Sequence, residues 1–274
     1  MNSPWAAALD ASIFFSFDAT GYRRHARGFR RADLDVNLQG RRCLVTGANS
    51  GIGFATALGL AERGAEVWLL CRDPGRGEAA RLEIVERTGN PLILLKIVDV
   101  SRLASVRAFA EAHTASVDVL VHNAGVLPLE RALTAEGLEA TFATHVAGPF
   151  LMTQLLRPAL RGARVVWVSS GGMYTQRLSL DDLDWRARRY HGATAYAQTK
   201  RMQVVLCELF AERWGGDSVF HAMHPGWADT PAVRASLPTF WRLTRGRLRV
   251  PAQGADTVLW LAISEDAGRH PTAF

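Results

Sequence analysis

The stretch RCLVTGANSGIGFATALGLA, residues 42–61, decides the fold of this chain. It begins with a short apolar run that predicts a β-strand, passes through a glycine-rich turn, and continues in a pattern typical of a helix. Gly47 permits the tight turn, Gly51 lets backbone amides approach a pyrophosphate, and Gly53 lets the helix pack against the strand. A purely structural turn is the alternative, but this context favours a dinucleotide site in which the helix N-terminus faces the anion.

The rest of the chain alternates short apolar runs with longer amphipathic runs, which predicts βαβ units and a mostly parallel sheet. Strands are expected at residues 42–46, 66–71, 92–98, 117–121, 164–168 and 218–223. Helices are expected near residues 52–63, 75–88, 102–114, 137–160, 194–214 and 252–263. The predicted fold class is α/β, a doubly wound Rossmann fold with helices on both faces of the sheet. Segments 171–193 and 227–250 follow strands without a clear period and are expected to form the substrate loops.

The composition fits one globular domain. The chain has 274 residues, of which 48% are hydrophobic and 21% charged, so it can bury a sizeable core and disorder is excluded. The formal net charge is +6, but arginine supplies nearly all basic residues, which indicates dispersed surface charge rather than a nucleic-acid site. Cys43, Cys71 and Cys207 show no ligand-like spacing and are expected to be buried, reduced thiols in the cytoplasm.

Residues 1–39 are predicted to form an N-terminal arm ahead of the Rossmann domain, which is assigned to residues 40–274. Between residues 13 and 31, aromatic and small residues recur at helical spacing beside a dense run of arginines. This pattern allows a helix on a membrane surface, or an arm that packs on the domain or a partner. Asp18 and Gly21 interrupt the helical pattern, and packing or partner contact is favoured. Neither a transmembrane helix nor a signal peptide is expected.

The strongest chemical signal is Tyr196-Ala197-Gln198-Thr199-Lys200. A step of four residues places the phenol and the ammonium on one face of a helix. The cation is expected to stabilise the phenolate and to lower the pKa of Tyr196, which makes this phenol a usable acid or base. Lys200 is one of only two lysines in a chain rich in arginine, and a compact ammonium suits contacts with ribose hydroxyls.

Two other strand ends carry polar side chains. Ser169 and Ser170 end the fifth strand, where a hydroxyl can donate to a carbonyl oxygen and stabilise its developing charge. Arg72 stands at the end of the second strand, where an acidic residue would accept from the ribose of NAD. A guanidinium can instead pair with a 2′-phosphate, so NADP(H) is preferred over NAD(H); an ordinary exposed arginine is the alternative.

The motifs TGxxxGxG from Thr46, the serine pair and YxxxK occur in the order found in the short-chain dehydrogenase/reductase family, and the chain resembles its single-domain members over most of the Rossmann domain. The resemblance implies that Ser170 holds the substrate oxygen, with Ser169 as second choice. It also implies that Tyr196 transfers the proton and that Lys200 orients the ribose. The implied nucleotide contacts are Gly47, Asn49, Ser50, Gly51, Ile52, Gly53, Arg72, Asp99, Val100, Asn123, Ala124, Gly125, Tyr196, Lys200, Pro225, Gly226, Trp227 and Thr230.

One position departs from the family pattern. Ahead of Gly148 and Phe150, where the family has an asparagine that supports a water-linked proton path to the lysine, this chain has His145. His145 is therefore a candidate fourth catalytic residue, which could hold the same water or pass the proton itself. It is expected to titrate between about pH 6 and 8. A histidine packed in the core, with its backbone carbonyl alone holding the water, is the alternative.

The implied reaction is hydride transfer with NADP(H), between the nicotinamide and the carbonyl or alcohol group of a lipophilic small molecule, and no metal is required. The alternative is an NADPH-binding or partner-binding module whose catalysis is vestigial. The resemblance further implies a homodimer or tetramer, formed through the helices near 137–160 and 194–214. No nucleic-acid partner is expected, and weak membrane contact is expected only through residues 13–31. The family's last strand is missing or lies beyond Phe274, which suggests a truncated chain.

Overall fold

The computed structural model describes residues 9–113, 115–270 and 272–273. Its centre is a sheet of seven parallel strands in the order β3-β2-β1-β4-β5-β6-β7. The strands are β1 Arg42–Thr46, β2 Glu66–Cys71, β3 Ile93–Ile97, β4 Val119–His122, β5 Arg164–Val168, β6 Val219–Met223 and β7 Thr272–Ala273. The predicted doubly wound α/β fold is confirmed, and the six predicted strands are all present.

Helices connect the strands and cover both faces of the sheet. They are α1 Ile13–Phe17, α2 Ala19–His25, α3 Gly51–Ala61, α4 Pro74–Thr88, α5 Leu103–Ala112, α6 Ala140–Phe142, α7 Gly148–Leu155, α8 Gly192–Trp214, α9 Pro231–Ser236, α10 Pro238–Thr244, α11 Pro251–Ile263 and α12 Glu265–Gly268. Short 3-10 turns lie at Ala26–Gly28, Arg31–Asp33 and Gly171–Thr175, and a π-turn at Ala143–Ala147. The helix predicted at 137–160 is divided into α6, the π-turn and α7, because Pro149 has no N–H to donate to the preceding turn.

The sheet is buried on both faces. Cys43 and Val45 of β1 pack in the cluster that includes α3 and α11, while Leu44 between them packs in the cluster that includes α7 and α8. The three central residues of a strand buried in this way are all apolar, which explains the run Cys43, Leu44 and Val45. All three cysteines are buried and free, and desolvation raises the pKa of the Cys71 thiol to about 11.

The last strand is present, although the sequence predicts that it is missing or lies beyond Phe274. Thr272–Ala273 forms β7 and pairs in parallel with Phe220 and His221 of β6. Two residues are too few to produce a periodic pattern, so this strand leaves no signal in the sequence. It is recognisable only because the edge of β6 offers it backbone partners.

The order of the strands positions the functional edge of the sheet. From β1 the chain builds β2 and β3 on one side and β4 to β7 on the other, so the connections diverge and leave a crevice at the carboxyl ends of β1 and β4. The two predicted substrate loops follow β5 and β6 and lie at the same edge, because all the strands are parallel.

The described part of the N-terminal arm packs on the domain. Its two helices meet at Asp18, which is fully buried, caps α2 and pairs with Nε of Arg247 at 2.9 Å. Arg249 donates to the carbonyl oxygens of Ser16, Asp18 and Pro225, so one guanidinium ties the arm to the loop after β6. These contacts support the packed arm. No helix in the described ranges is long and apolar enough to cross a membrane.

Of the two expected breaks in the arm, Asp18 does separate two helices. Gly21, the second expected break, is buried inside α2. An added Cβ there would collide with the carbonyl oxygen of Ser16, so this glycine permits close packing of α2 on α1 instead of ending a helix.

Candidate active site

The glycine-rich turn touches the loop that follows β4. Gly47 has a φ of +66°, and a Cβ at this position would lie 2.9 Å from Cα of Ala124. A Cβ on Gly53 would collide with Nδ2 of Asn123, the amide that donates to the carbonyl oxygen of Thr46 at 2.9 Å. Both glycine positions therefore exclude a side chain. The amide of Asn123 is used to link the ends of β1 and β4.

The N-terminus of α3 is suited to an anion. The helix begins at Gly51, and Ser50 at its N-cap forms no capping hydrogen bond through its side chain. The first N–H groups, those of Gly51, Ile52 and Gly53, therefore have no side-chain cap to compete with a pyrophosphate. Gly51 has a φ of +57°, and a Cβ there would lie 3.2 Å from Cγ2 of Thr230, so Thr230 borders the same turn.

Two arginines lie between the end of β2 and the first turn of α4. Arg72 is exposed at the expected position, whereas the next residue, Asp73, accepts from the N–H of Arg76 at 2.9 Å and caps α4. With the amide of Asn49 turned so that its oxygen faces α4, this oxygen lies 3.2 Å from Nε and from Nη2 of Arg76. Arg76 is therefore a site residue that the sequence analysis missed. A second basic residue soon after Arg72 in the chain was the available signal.

Other predicted nucleotide contacts lie at the ends of β3 and β4. Oδ1 of Asp99 accepts from the N–H and Oγ of Ser101 at 3.0 and 2.7 Å, so this oxygen closes a local turn. Val100 is buried, and its carbonyl oxygen leaves no room for a Cβ on Gly148. Gly125 lies beside the imidazole of residue 145, with 3.1 Å from an added Cβ to Nε2. The nucleotide roles of these residues remain predictions.

Three side chains from two motifs come together where β5 ends and α8 passes. Nζ of Lys200 lies 5.6 Å from the ring centre of Tyr196. The side chain of Ser170 lies beside the phenol of Tyr196 and acts to lower the pKa of that phenol. Gly172 borders both groups, because a Cβ there would lie 3.5 Å from Oγ of Ser170 and 3.8 Å from Cε1 of Tyr196. A hydroxyl, a phenol and an ammonium thus lie near one another, and their catalytic roles stay predictions.

The second serine of the pair has a different task. Oγ of Ser169 donates to the carbonyl oxygen of Lys200 at 2.7 Å, and the side chain is buried. This bond attaches β5 to α8 and holds the backbone that carries the lysine. Ser170 accepts from the N–H of Gly172 at 3.1 Å and keeps its own proton to donate elsewhere. The geometry therefore supports Ser170 as the hydroxyl that meets a substrate.

Burial controls the protonation of the pair on α8. Nζ of Lys200 donates to the carbonyl oxygen of Val168 at 2.8 Å and to Oε1 of Gln203 at 3.0 Å, and desolvation lowers the pKa of Lys200 to about 7. Desolvation also raises the pKa of Tyr196, and the neighbouring side chain of Ser170 offsets only part of this effect. The expected lowering of the Tyr196 pKa is therefore wrong, because the surroundings that hold the ammonium near also remove the phenol from water.

His145 lies in the π-turn, and both of its ring nitrogens have partners. Nε2 accepts from the N–H of Val126 at 3.0 Å, so the ring proton is assigned to Nδ1, which lies 2.8 Å from Oγ1 of Thr199. Burial, and secondarily the charge of Lys200, hold the pKa of His145 well below that of a free histidine. The expectation of titration between about pH 6 and 8 is wrong, because a protonated Nε2 could not accept this bond. The imidazole is a neutral packing group whose centre lies 5.3 Å from that of Tyr196.

The N-terminal arm also reaches the site. The N–H of Trp227 donates to the carbonyl oxygen of Phe17 at 2.8 Å, and a Cβ on Gly226, whose φ is +70°, would lie 2.5 Å from that oxygen. The ring of Phe17 covers Gly171, next in the chain to Ser170, and leaves no room for a side chain there. Phe17 is thus a second residue that the sequence analysis missed. No local signal marks it, because its partners lie more than 150 residues away.

Aromatic rings surround Phe17 and form a wall. The ring centre of Phe17 lies 4.5 Å from that of His224, 6.3 Å from that of Tyr174 and 6.2 Å from that of Trp227. Desolvation lowers the pKa of His224 to about 4, so this ring is uncharged at neutral pH. The aromatic wall, defined as Phe17, Tyr174, His224 and Trp227, therefore presents mainly apolar surface.

A cavity of about 280 Å³ lies at the start of α8. It is lined by Leu127, Pro128, Leu129, Tyr190, His191, Gly192, Ala193, Ser236 and Leu237. Because α8 begins at Gly192, the cavity lies about one helical turn from Tyr196. Within the part of the chain that the structure describes, no group of three or more His, Cys, Asp or Glu side chains could hold a metal ion.

This fold and this combination of side chains define a class of protein. The family model for short chain dehydrogenase matches residues 41–179, and the chain belongs to the short-chain dehydrogenase/reductase family. It is an oxidoreductase of the nucleotide-binding Rossmann type.

Curated relatives extend the likeness over nearly the whole chain. The chain is 44% identical to dehydrogenase/reductase SDR family member 12 of Bos taurus, over 97% of this chain and 86% of that protein. It is 45% identical to the Homo sapiens protein of the same name, over 93% and 82%. It is 38% identical to retinol dehydrogenase 12 of Homo sapiens, over 84% and 76%.

Solved structures share the fold. One is an uncharacterized protein from Mycobacterium paratuberculosis, with a TM-score of 0.71 and 34% identity over 85% of this chain and 80% of that one. Another is a candidate NAD(P)-dependent gluconate 5-dehydrogenase from Beutenbergia cavernae with bound NADP. Its TM-score is 0.69 and its identity 26%, over 86% of this chain and 94% of that one.

The neutral state of His145 predicts a change in the pH dependence of stability. Below about pH 6.5 the unfolded chain takes up a proton that the folded imidazole refuses, so this residue makes the free energy of unfolding fall as the pH drops. His145→Asn should remove about 2 kcal/mol of that fall between about pH 7 and 5, as measured by urea unfolding. Equal slopes for His145→Asn and wild type would contradict the assignment.

Proposed function

We propose that this chain is an NADP(H)-dependent oxidoreductase that reduces the carbonyl group of a lipophilic small molecule. The observation that carries the proposal is the meeting of Ser170, Tyr196 and Lys200 beside the crevice at the ends of the central strands. The uncapped start of α3 and the glycines that exclude Cβ atoms fit a dinucleotide. When bound, the nicotinamide supplies the hydride that adds to the carbonyl carbon.

The residues of the chain handle the proton. Ser170 donates a hydrogen bond to the substrate oxygen, and Tyr196 gives its phenolic proton to the same oxygen as negative charge develops there. The ammonium of Lys200 stabilises the phenolate that remains. Because burial raises the pKa of Tyr196, the phenol holds its proton at neutral pH until a charged oxygen is present to take it.

Two arginines support NADP(H) as the coenzyme. Arg72 is exposed at the end of β2, and Arg76 lies in the first turn of α4 beside Asn49 of the glycine-rich turn. A 2′-phosphate near these groups would receive charge-assisted hydrogen bonds, which ribose hydroxyls cannot match in strength. Asp73, the one acidic residue at this strand end, already caps α4. The structural relative with bound NADP is consistent with this preference.

The surroundings of the site support a lipophilic substrate. The aromatic wall stands next to Ser170, and the cavity at the start of α8 is lined largely by apolar residues. Such surfaces favour ligands that bury carbon rather than hydroxyl groups. A relative at 38% identity is named retinol dehydrogenase, and retinol is a lipophilic alcohol.

The same proposal includes a homo-oligomer in a reducing compartment. Phe150, Leu155 and Leu209 expose 40, 38 and 53% of their surface on α7 and α8, the helices expected to pair between copies. Sedimentation equilibrium that finds only monomer would remove this part of the proposal. The free, buried thiols support a location in the cytoplasm, where cysteines stay reduced.

Removal of the reactive phenol tests the chemistry. Tyr196→Phe should lower NADPH-dependent turnover of a panel of aliphatic and aromatic aldehydes by about a hundred-fold or more, since general acid catalysis is lost. The affinity for NADPH, measured by quenching of protein fluorescence, should change little. Tyr22→Phe, in the arm, is the control and should keep wild-type turnover. A Tyr196→Phe enzyme with full turnover would refute the mechanism.

Removal of either arginine tests the coenzyme. Arg72→Ala and Arg76→Ala should each raise the KM for NADPH about ten-fold or more, because a charge-assisted hydrogen bond to phosphate is lost. The KM for NADH should change less than about two-fold. Arg81→Ala, farther along α4, provides the matched control. Equal effects on the two coenzymes would argue against a 2′-phosphate site.

A substitution in the arm tests the substrate class. Phe17→Ala should lower kcat/KM for decanal about ten-fold relative to butanal, because the longer chain loses apolar contact with the aromatic wall. Phe17→Leu should show a smaller effect, and Phe29→Ala, at an exposed arm aromatic, should show none. If the decanal to butanal ratio stayed at the wild-type value in Phe17→Ala, the arm would not contact substrate. Turnover of polar sugars alone would exclude a lipophilic substrate.

A further inference from the structure

Gln203 is a buried polar residue whose amide oxygen and amide nitrogen both form hydrogen bonds. It lies on α8 three residues after Lys200 and is fully buried. Its Oε1 accepts from Nζ of Lys200 at 3.0 Å, and its Nε2 donates to the backbone carbonyl oxygen of His145 at 3.0 Å. The side chain therefore bridges the reactive lysine and the π-turn.

The sequence explains why that carbonyl oxygen is available. In an α-helix the carbonyl of His145 would accept from the N–H four residues later, but that residue is Pro149, which has none. The chain passes through the π-turn at this point and then begins α7. An acceptor left without its α-helical donor inside a protein needs another partner, and the amide of Gln203 supplies one.

The ammonium of Lys200 depends on such dipolar partners. It is buried, and in the described part of the chain no carboxylate forms an ion pair with it. Its acceptors are the carbonyl oxygen of Val168 and Oε1 of Gln203, while the titratable groups nearest to it are the phenol of Tyr196 and the neutral imidazole of His145. Two of the three N–H groups of the ammonium thus donate to these acceptors, and the third is left for another acceptor.

We propose that Gln203 is a positioning residue of the active site, which stabilises the protonated form of Lys200 and fixes its direction by anchoring it to the His145 carbonyl. The inference rests on the proposed function in that it concerns the same site. A fixed amide dipole orients the ammonium without neutralising it, as a carboxylate would. The lysine thereby keeps the charge that stabilises a phenolate.

The two lysines of this chain make the proposal directly measurable. Protein labelled with 15N at lysine Nζ gives signals from Lys96 and Lys200 only, and Lys96, held over the ring of Trp68 at 4.4 Å, is an internal reference. The titration of each ammonium can then be followed by NMR without coenzyme or substrate.

Two substitutions should move the titration of Lys200 in opposite directions. Gln203→Met removes the acceptor and should lower the pKa of Lys200 by about one unit, the equivalent of one lost hydrogen bond. Gln203→Glu places a carboxylate beside the ammonium and should raise that pKa by at least as much. Gln198→Met is the matched control on the same helix, because the side chain of Gln198 accepts from Arg188 instead. This control should leave Lys200 at its wild-type midpoint.

The outcomes separate the inference from the proposed function. Opposite shifts of Lys200, with Lys96 unchanged, support a positioning role that mere packing would not produce. An unchanged midpoint in Gln203→Glu, or shifts of the same sign in both variants, would overturn it. Should Gln203→Met fail to fold, Gln203→Asn replaces it and should also lower the pKa, because its shorter amide cannot span both partners. Absence of NADPH turnover in the wild type would refute the proposed function but leave the lysine titration valid.

Discussion

The close approach of two backbone turns, one after β1 and one after β4, is the constraint on which the rest of the structure depends. Gly47 and Gly53 have no Cβ, so the first turn can press against Asn123 and Ala124 of the second. A side chain at either glycine would push the turns apart and shift the start of α3 away from the crevice. Because β4 is the central strand of the sheet and β1 is its neighbour, that displacement would affect the groups at the carboxyl edge.

A buried ammonium is the second organising feature. Burial of the Lys200 ammonium destabilises the fold, because no carboxylate in the described part of the chain forms an ion pair with it. The same desolvation lowers the pKa of Lys200 to about 7. Backbone and amide dipoles offset part of that cost. The carbonyl oxygen of Val168 and Oε1 of Gln203 both accept from the ammonium, and Nε2 of Gln203 donates to the carbonyl oxygen of His145 in the π-turn. The positive charge of Lys200 interacts strongly with the nearby phenol of Tyr196, because the protein interior screens charges less than water does.

The N-terminal arm packs against two loops at the carboxyl edge of the sheet. The family match begins at residue 41, yet the arm before it contacts the loops after both β5 and β6. Arg249 and the buried Asp18 hold the arm through several hydrogen bonds, so the ring of Phe17 has a defined place beside Gly171. A surface set by such long-range contacts can change the substrate without altering the chemistry of the reactive pair.

The sequence by itself determined six of the seven strands, most of the helices between them, the glycine-rich turn and the expected grouping of Ser170, Tyr196 and Lys200. These features follow from local periodicity, from a step of four along a helix, and from the rule that parallel strands end at one edge. Only the tertiary structure decided the ionisation of these groups, because the pKa values of Tyr196 and His145 depend on burial among residues distant in the chain. It alone also revealed Phe17, Gln203 and the two-residue strand β7. Phe17 and β7 have partners far away in the chain, and so does the amide nitrogen of Gln203, which donates to the carbonyl oxygen of His145. No local pattern identifies such partners.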